Sequence, residues 1–167
     1  MTIRVQPLTE PQIRAFITWT YDGPYAVYNL SGGSPEESVA FFSDPANGYF
    51  AIVDDNSPER DALLGFCNVG ADAHVPGGAY DEEAIDIGIG MRPDLTGRGL
   101  GATYAAMVFD FAGERYPGRM QRVTIAAFNQ RAQHLCRNFG FCVVDRFADA
   151  RNGRPFLIMT RVVGEGR

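Results

Sequence analysis

The chain has 167 residues, 46% hydrophobic and 21% charged, which is ordinary globular composition and enough for one domain that buries about two-thirds of its unfolded surface. Its net charge of −5, with no basic run or stripe, excludes non-specific nucleic-acid binding and suits cationic partners such as amines; no apolar run approaches the roughly 20 residues of a membrane span. Cys67, Cys136 and Cys142 lack CxxC spacing and a signal peptide, and His74 and His134 lack a paired cysteine. A cytoplasmic protein with reduced thiols and no metal is therefore expected.

Residues 3–8 predict a first strand. A helix follows from Thr9-Glu10-Pro11 to about Trp19, supported by a capping residue, an early acid and a proline at its start. Residues 20–34 read as loop, and Ser34-Pro35-Glu36-Glu37 opens a second helix to Phe42. Strands are expected at 49–54 and 62–70, joined through the turn Asp54-Asp55-Asn56-Ser57-Pro58. The loop 71–80, carrying Pro76-Gly77-Gly78, leads to a strand at 83–91.

That strand alternates. Ile85, Ile87, Ile89 and Met91 form an apolar face read as core; Ala84, Asp86, Gly88 and Gly90 form a small, bare face against which a slender ligand can lie. A helix over 99–115 buries the stripe Leu100, Tyr104, Met107, Val108 and Phe111. After a strand at 121–128, Asn129 starts a helix with Ala132, Leu135, Cys136 and Phe139 inward and Gly140 as its C-terminal cap. Strands at 141–148 and 155–163 flank the hairpin signal Asn152-Gly153. The order β-α-α-β-β-β-α-β-α-β-β describes an α+β chain with a mixed, mostly antiparallel sheet of six to seven strands and about four helices.

The junction Arg92-Pro93-Asp94-Leu95-Thr96-Gly97-Arg98-Gly99-Leu100-Gly101-Ala102 ends a strand, turns on glycines and opens a helix. Free N–H groups at the positive end of a helix dipole suit a phosphate, the glycines let backbone approach it, and Arg98 adds a charge. A P-loop is excluded, because its lysine and hydroxyl are missing. Gly97-x-Gly99-x-x-Ala102 formally satisfies a dinucleotide fingerprint. Against it, the next strand ends in Phe128-Asn129 where an acid belongs, and too little chain follows for a doubly wound sheet.

The run Thr96-Gly97-Arg98-Gly99-Leu100-Gly101, with Pro93 upstream, resembles the [QR]-x-x-G-x-[GA] pyrophosphate loop of the GNAT superfamily of acyl-CoA-dependent N-acyltransferases. Asn129-Gln130-Arg131-Ala132 through Gly140-Phe141 resembles that family's N-x-x-A…GF segment, and the resemblance covers residues 3–161. It implies a three-layer α/β/α fold whose sheet splays between strands 83–91 and 121–128. It also implies acetyl-CoA as co-substrate, its pyrophosphate on the N–H groups of Gly97, Arg98, Gly99, Leu100, Gly101 and Ala102. Pantetheine would contact Asn129, and a main-chain N–H near Ile89 or Met91 would polarise the thioester carbonyl. Homodimers through exposed sheet edges are common in that family.

Two positions depart from the family pattern. Thr96 replaces Gln or Arg, and Cys136 stands where many members have the tyrosine that protonates the leaving thiolate. Cys136 is either that acid or a small apolar filler, the filler being favoured. As base, Glu83 matches the acid of several relatives and Asp86 has the parity of the bare face; both stay open, and His74, a base by residue type, sits in a Gly/Pro loop where an exposed, idle histidine is the favoured reading. Trp19, Tyr21, Tyr25 and Tyr28, with Asp22 among them, suit a cationic amine, although rings covering a core edge would look the same. The function implied is transfer of acetyl from acetyl-CoA to a primary amine by direct attack in a ternary complex. The alternatives are a non-catalytic acyl-CoA sensor on the same fold, a longer acyl donor or an alcohol acceptor.

Overall fold

The computed structural model describes residues 2–30, 33–57 and 62–163; Ser31 and Gly32 of the 20–34 loop, and Pro58 of the expected 54–58 turn, lie outside the described residues. In chain order the elements are β1 (Ile3–Pro7), α1 (Glu10–Phe16), α2 (Pro35–Ser43), β2 (Tyr49–Asp54), β3 (Leu63–Val69), β4 (Ile85–Met91), α3 (Gly101–Arg115), β5 (Gln121–Ala126), α4 (Gln130–Asn138), β6 (Cys142–Ala148) and β7 (Pro155–Arg161). The expected order holds. Short 3-10 turns at Gly23–Tyr28, Ala71–Ala73 and Pro93–Leu95 occupy stretches that the sequence reads as loop. The seven strands form a mixed sheet ordered β1-β2-β3-β4-β5-β7-β6, with β4 and β5 parallel. No helix among the described residues is long and apolar enough to cross a membrane.

The helix starts follow from local chemistry. Thr9 and Ser34 accept hydrogen bonds from the Gln12 and Glu37 backbone, and those side chains return bonds to the cap N–H groups. Each capping box satisfies two donors that a helix start leaves unpaired.

The residues gather into two compact units, Met1–Asn68 with Ile89–Val108, and Val69–Gly88 with Phe109–Arg167. In the first, β1, β2 and β3 form an antiparallel ladder. Its core is Ile13, Phe16, Ala51, Val53 and Leu63, with Trp19, Phe42 and Phe66 packed against it. Phe16 stacks on Phe66 with centroids 4.6 Å apart and meets Phe42 edge-on at 4.8 Å. Each such side chain contributes about 1.5–3 kcal/mol when fully buried.

In the second unit β7 lies between β5 and β6, antiparallel to both. Leu157, Ile158 and Met159 are almost wholly buried there. The Arg161 guanidinium lies 5.0 Å from the Phe109 ring and 5.2 Å from that of Phe141, and donates to Gln121 Oε1 and the Phe139 carbonyl. The Asn152-Gly153 turn is present, with the Gly153 N–H on the Asp149 carbonyl at 2.7 Å.

Three expectations about faces need correction. On α3 the buried residues are Tyr104, Ala105, Val108, Phe109 and Ala112, while Met107 and Phe111 are half-buried. The inward stripe is rotated toward two alanines, which let a helix pack closely. On α4 the polar Gln133 is buried beside Cys136 because its amide donates to the Ala127 carbonyl at 2.9 Å.

The third concerns β4. Strand structure begins at Ile85, leaving Glu83 and Ala84 outside it; Ile87 is buried, yet Ile89 is 38% exposed. The opposite face is not bare. A side-chain atom at Gly90 would run into the Phe66 ring, so Phe66 already fills that position, and Asp86 is buried in an ion pair described below. Alternation identifies two faces but not what covers each.

Gly65 on β3 has no spare room, because a Cβ there would overlap the Gly90 carbonyl oxygen. Backbone cannot swing aside as a side chain can. Gly65→Ala is expected to lower unfolding stability by about 2 kcal/mol, read as a lower urea midpoint at unchanged slope; a midpoint within error of the parent would contradict this packing.

Candidate active site

In the first unit, the segment after β4 is built to stop a strand and start a helix. The Arg92 N–H donates to the Leu64 carbonyl at 2.9 Å. Its guanidinium forks onto both Asp94 oxygens at 2.7 and 3.2 Å and reaches the Leu63 carbonyl at 3.2 Å. That hydrogen bond from Arg92 holds the Asp94 carboxyl below its usual range. Thr96, the departure from the family's Gln or Arg, places its hydroxyl on the Pro93 carbonyl at 2.7 Å. Gly97 and Gly99 then turn the chain at φ +74° and +76°, a left-handed backbone that favours glycine.

α3 begins at Gly101 and runs fifteen residues, with Tyr104 N–H bonding to the Leu100 carbonyl. The N–H groups before Tyr104 have no carbonyl one turn back within the helix, so they face outward at its positive end. Thr96 through Gly99 are exposed, Arg98 among them, and a Cβ at Gly99 would meet nothing within 4 Å. Backbone donors in this arrangement can receive an anion. One turn into α3, the fully buried Tyr104 hydroxyl has no hydrogen-bond partner among the described residues.

The aromatic loop divides. Trp19 packs beside Phe16 and Phe66, at 6.2 and 6.1 Å, as a wall of the core. Its indole is half-buried there rather than fully withdrawn from solvent. Tyr21 donates its hydroxyl to the Met91 carbonyl at 2.6 Å and ties the loop to the end of β4; burial pushes the phenol up to about 12. Tyr25 is half-buried, whereas Tyr28 and Asp22 are exposed.

The second unit holds a cluster that the sequence reading did not assemble. Asp86 on β4 stands opposite Arg122 on β5 in the parallel register. Arg122 Nε donates to Asp86 Oδ1 at 2.7 Å and Nη2 to Oδ2 at 2.8 Å; the side chains are 5% and 7% exposed. Nη1 donates to the Glu82 carbonyl at 2.8 Å, and the guanidinium carbon sits 4.9 Å from the centre of the Tyr80 ring. The hydrogen bond to Asp86 holds the guanidinium pKa above its usual value.

His74 completes the cluster. Its Nε2 lies 2.7 Å from Asp86 Oδ2, and its ring stacks on Tyr80 with centroids 3.8 Å apart and planes 10° apart. Tyr80 accepts from the Val75 N–H at 2.9 Å and bonds Thr124 Oγ1 at 2.9 Å. The Pro76 carbonyl takes the Ala150 N–H at 2.8 Å, and a Cβ at Gly77 would lie 2.6 Å from the Ala148 carbonyl oxygen. The expectation of an idle histidine on an exposed loop is thus corrected: the loop is pinned directly after His74, whose ring is held by Tyr80 and Asp86. His74, Tyr80, Asp86 and Arg122 line a cavity of about 530 Å³ whose edge includes Glu82 and Glu83. Glu83 is 81% exposed and pairs with Arg119 at 2.8 Å.

Asn129 caps α4, its Oδ1 accepting from the Ala132 N–H at 3.1 Å. Cys136 is buried on α4, and desolvation pushes its thiol up to about 11. Among the described residues no group of three or more His, Cys, Asp or Glu is placed to hold a metal ion. Arg122 and Tyr80 escaped the sequence reading. The available signal was an arginine inside the otherwise apolar run Val123-Thr124-Ile125-Ala126, a position that needs a buried acid.

Removing one member of a buried pair strands the other charge. Asp86→Asn is expected to cost about 3 kcal/mol of stability, measured by urea unfolding at neutral pH; a loss below about 0.5 kcal/mol would mean the pair behaves as a surface contact.

No curated protein sequence matches the chain. Its fold resembles a spermidine N-acetyltransferase chimera of Vibrio cholerae SpeG and hSSAT, at TM-score 0.73 and 16% identity over 97% of this chain and 96% of that one. It resembles a GNAT-family acetyltransferase from Bacillus anthracis at TM-score 0.71 and 12% identity, covering 97% and 95%. A third structure, YncA from Salmonella typhimurium solved with its cofactor acetyl-CoA, aligns at TM-score 0.67 and 14% identity over 100% and 97%. The sequence model of the acetyltransferase (GNAT) family matches residues 13–141, and the chain belongs to that family.

Proposed function

We propose that the chain transfers an acetyl group from acetyl-CoA to a primary, cationic amine, by direct attack of the amine on the thioester in a ternary complex. The observation that carries this is the exposed turn Thr96–Gly99 with Gly97 and Gly99 at positive φ, opening the fifteen-residue helix α3. Backbone donors from Gly97 to Ala102, with Arg98, would hold the pyrophosphate. Main-chain N–H groups of Ile89 or Met91 would stabilise the developing oxyanion, an effect worth a few kcal/mol. Asn129 would meet the pantetheine arm.

An amine acceptor fits the acidic chain and the structural relatives that are named spermidine N-acetyltransferases. Tyr21, Tyr25, Tyr28 and Asp22 remain the acceptor-loop residues of this proposal. Cys136, buried and with its thiol pushed up to about 11, acts here as filler, and the leaving thiolate takes its proton from the amine. The free thiols Cys67, Cys136 and Cys142 suit a reducing cytosol. Residues 1–167 are read as one catalytic domain, which can dimerise through its sheet edges.

The test is release of coenzyme A thiol from acetyl-CoA with spermidine, a free-N-terminus tripeptide and an aminoglycoside, beside calorimetric binding of acetyl-CoA. Turnover is expected with at least one amine. Gly99→Asp puts a carboxylate over the cradle and is expected to weaken acetyl-CoA binding at least about tenfold, with a stability loss of about 1 kcal/mol from the left-handed backbone. Tight binding without thiol release from any amine would favour the sensor reading, and unchanged binding by Gly99→Asp would remove the cradle.

A further inference from the structure

We propose that His74 is the proton acceptor for the attacking amine, with Asp86 as its positioning residue and Arg122 as the clamp on Asp86; this rests on the acetyl-transfer reading above. The carboxylates expected as base are poorly placed for it. Asp86 has both oxygens engaged by Arg122, and Oδ2 also meets His74, so neither oxygen is left open toward an entering amine. Glu83 is exposed and bridged to Arg119.

His74 has what they lack. An ionised carboxylate accepts hydrogen bonds only, so the 2.7 Å contact fixes the proton on Nε2 and leaves the lone pair on Nδ1. Tyr80 stacking fixes the ring plane, and the pinned loop fixes its position. The side chain is 33% exposed and lines the cavity, so it is accessible as well as held. The groups facing it are Asp86 from β4, Arg122 from β5 through Asp86, and Tyr80 from its own loop. The cavity edge adds Asp81, Glu82 and Glu83, with Arg119 and Tyr116. That edge carries more acid than base, which suits an ammonium entering it.

The chemistry balances. The ammonium gives one proton to His74 Nδ1, and the freed nitrogen lone pair forms the C–N bond to the acetyl carbon. The C–S bond breaks, and the departing thiolate takes the second amine proton. His74 then returns its proton to water, so each turnover releases amide, thiol and one proton.

The test is the pH dependence of thiol release, from about pH 6 to about pH 9.5, with the best amine of the panel. His74→Gln is expected to lower kcat at least about a hundredfold near neutrality, to move the rising limb of the profile to higher pH, and to keep its KM for acetyl-CoA. The deficit should shrink toward high pH, where more of the amine is already neutral. His134, exposed on α4, supplies the control: His134→Gln keeps the wild-type profile. A wild-type chain that turns over while His74→Gln keeps its rate and profile overturns the role of His74 alone. A wild-type chain inactive on every amine removes the acetyl-transfer reading and this inference with it.

Discussion

The buried ion pair of Asp86 with Arg122 orders the side chains around it in the second unit. Asp86 and Arg122 come from strands 36 residues apart in sequence and are both almost fully withdrawn from water. Desolvating two charges is costly, and a buried pair survives only when nearly every donor and acceptor is satisfied. Here the guanidinium spends Nε and Nη2 on the carboxylate, Nη1 on the Glu82 carbonyl and a face on Tyr80. The carboxylate still has capacity for one more donor, and His74 takes it. The side chains around the pair are thereby fixed as a set, so that a change at one is felt by the others.

The first unit solves a different problem with backbone rather than charge. An anion cradle needs N–H groups with no internal partner, held so that they cannot turn elsewhere. The Arg92–Asp94 fork, the buried Leu95 and the Thr96 hydroxyl fix the approach to the turn, and the two left-handed glycines set its direction. Thr96 therefore contributes as a turn residue.

Much of this was legible in the sequence, for reasons that can be named. Element order follows from periodicity, caps and breakers, all local signals; the capping boxes at Thr9 and Ser34 and the Asn152-Gly153 turn behave as their residue types require. The glycine turn was legible because few other functions need that spacing before a helix. Faces were harder. Parity separated Asp86 from Ile87 correctly but could not say that Arg122 would meet one and Phe66 would cover Gly90. Trp19 looked like a loop aromatic because the α1 periodicity fades there, whereas it closes the core beside Phe16. His74 looked idle because a Gly/Pro loop resembles a mobile one; its anchors, Tyr80 and the Ala148–Ala150 backbone, lie close in space and partly distant in sequence.

The proposed role of His74 depends on a proton on Nε2 directed at the Asp86 carboxylate that Arg122 also holds. With two histidines in the chain, nitrogen NMR of the imidazoles reads it directly, and His134 serves as the internal reference. The account predicts that neutral His74 is locked as one tautomer, with the proton coupled to Nε2 and Nδ1 bearing the lone pair, while His134 averages between forms like free imidazole. A proton found on Nδ1 of His74, or averaging equal to that of His134, would contradict it.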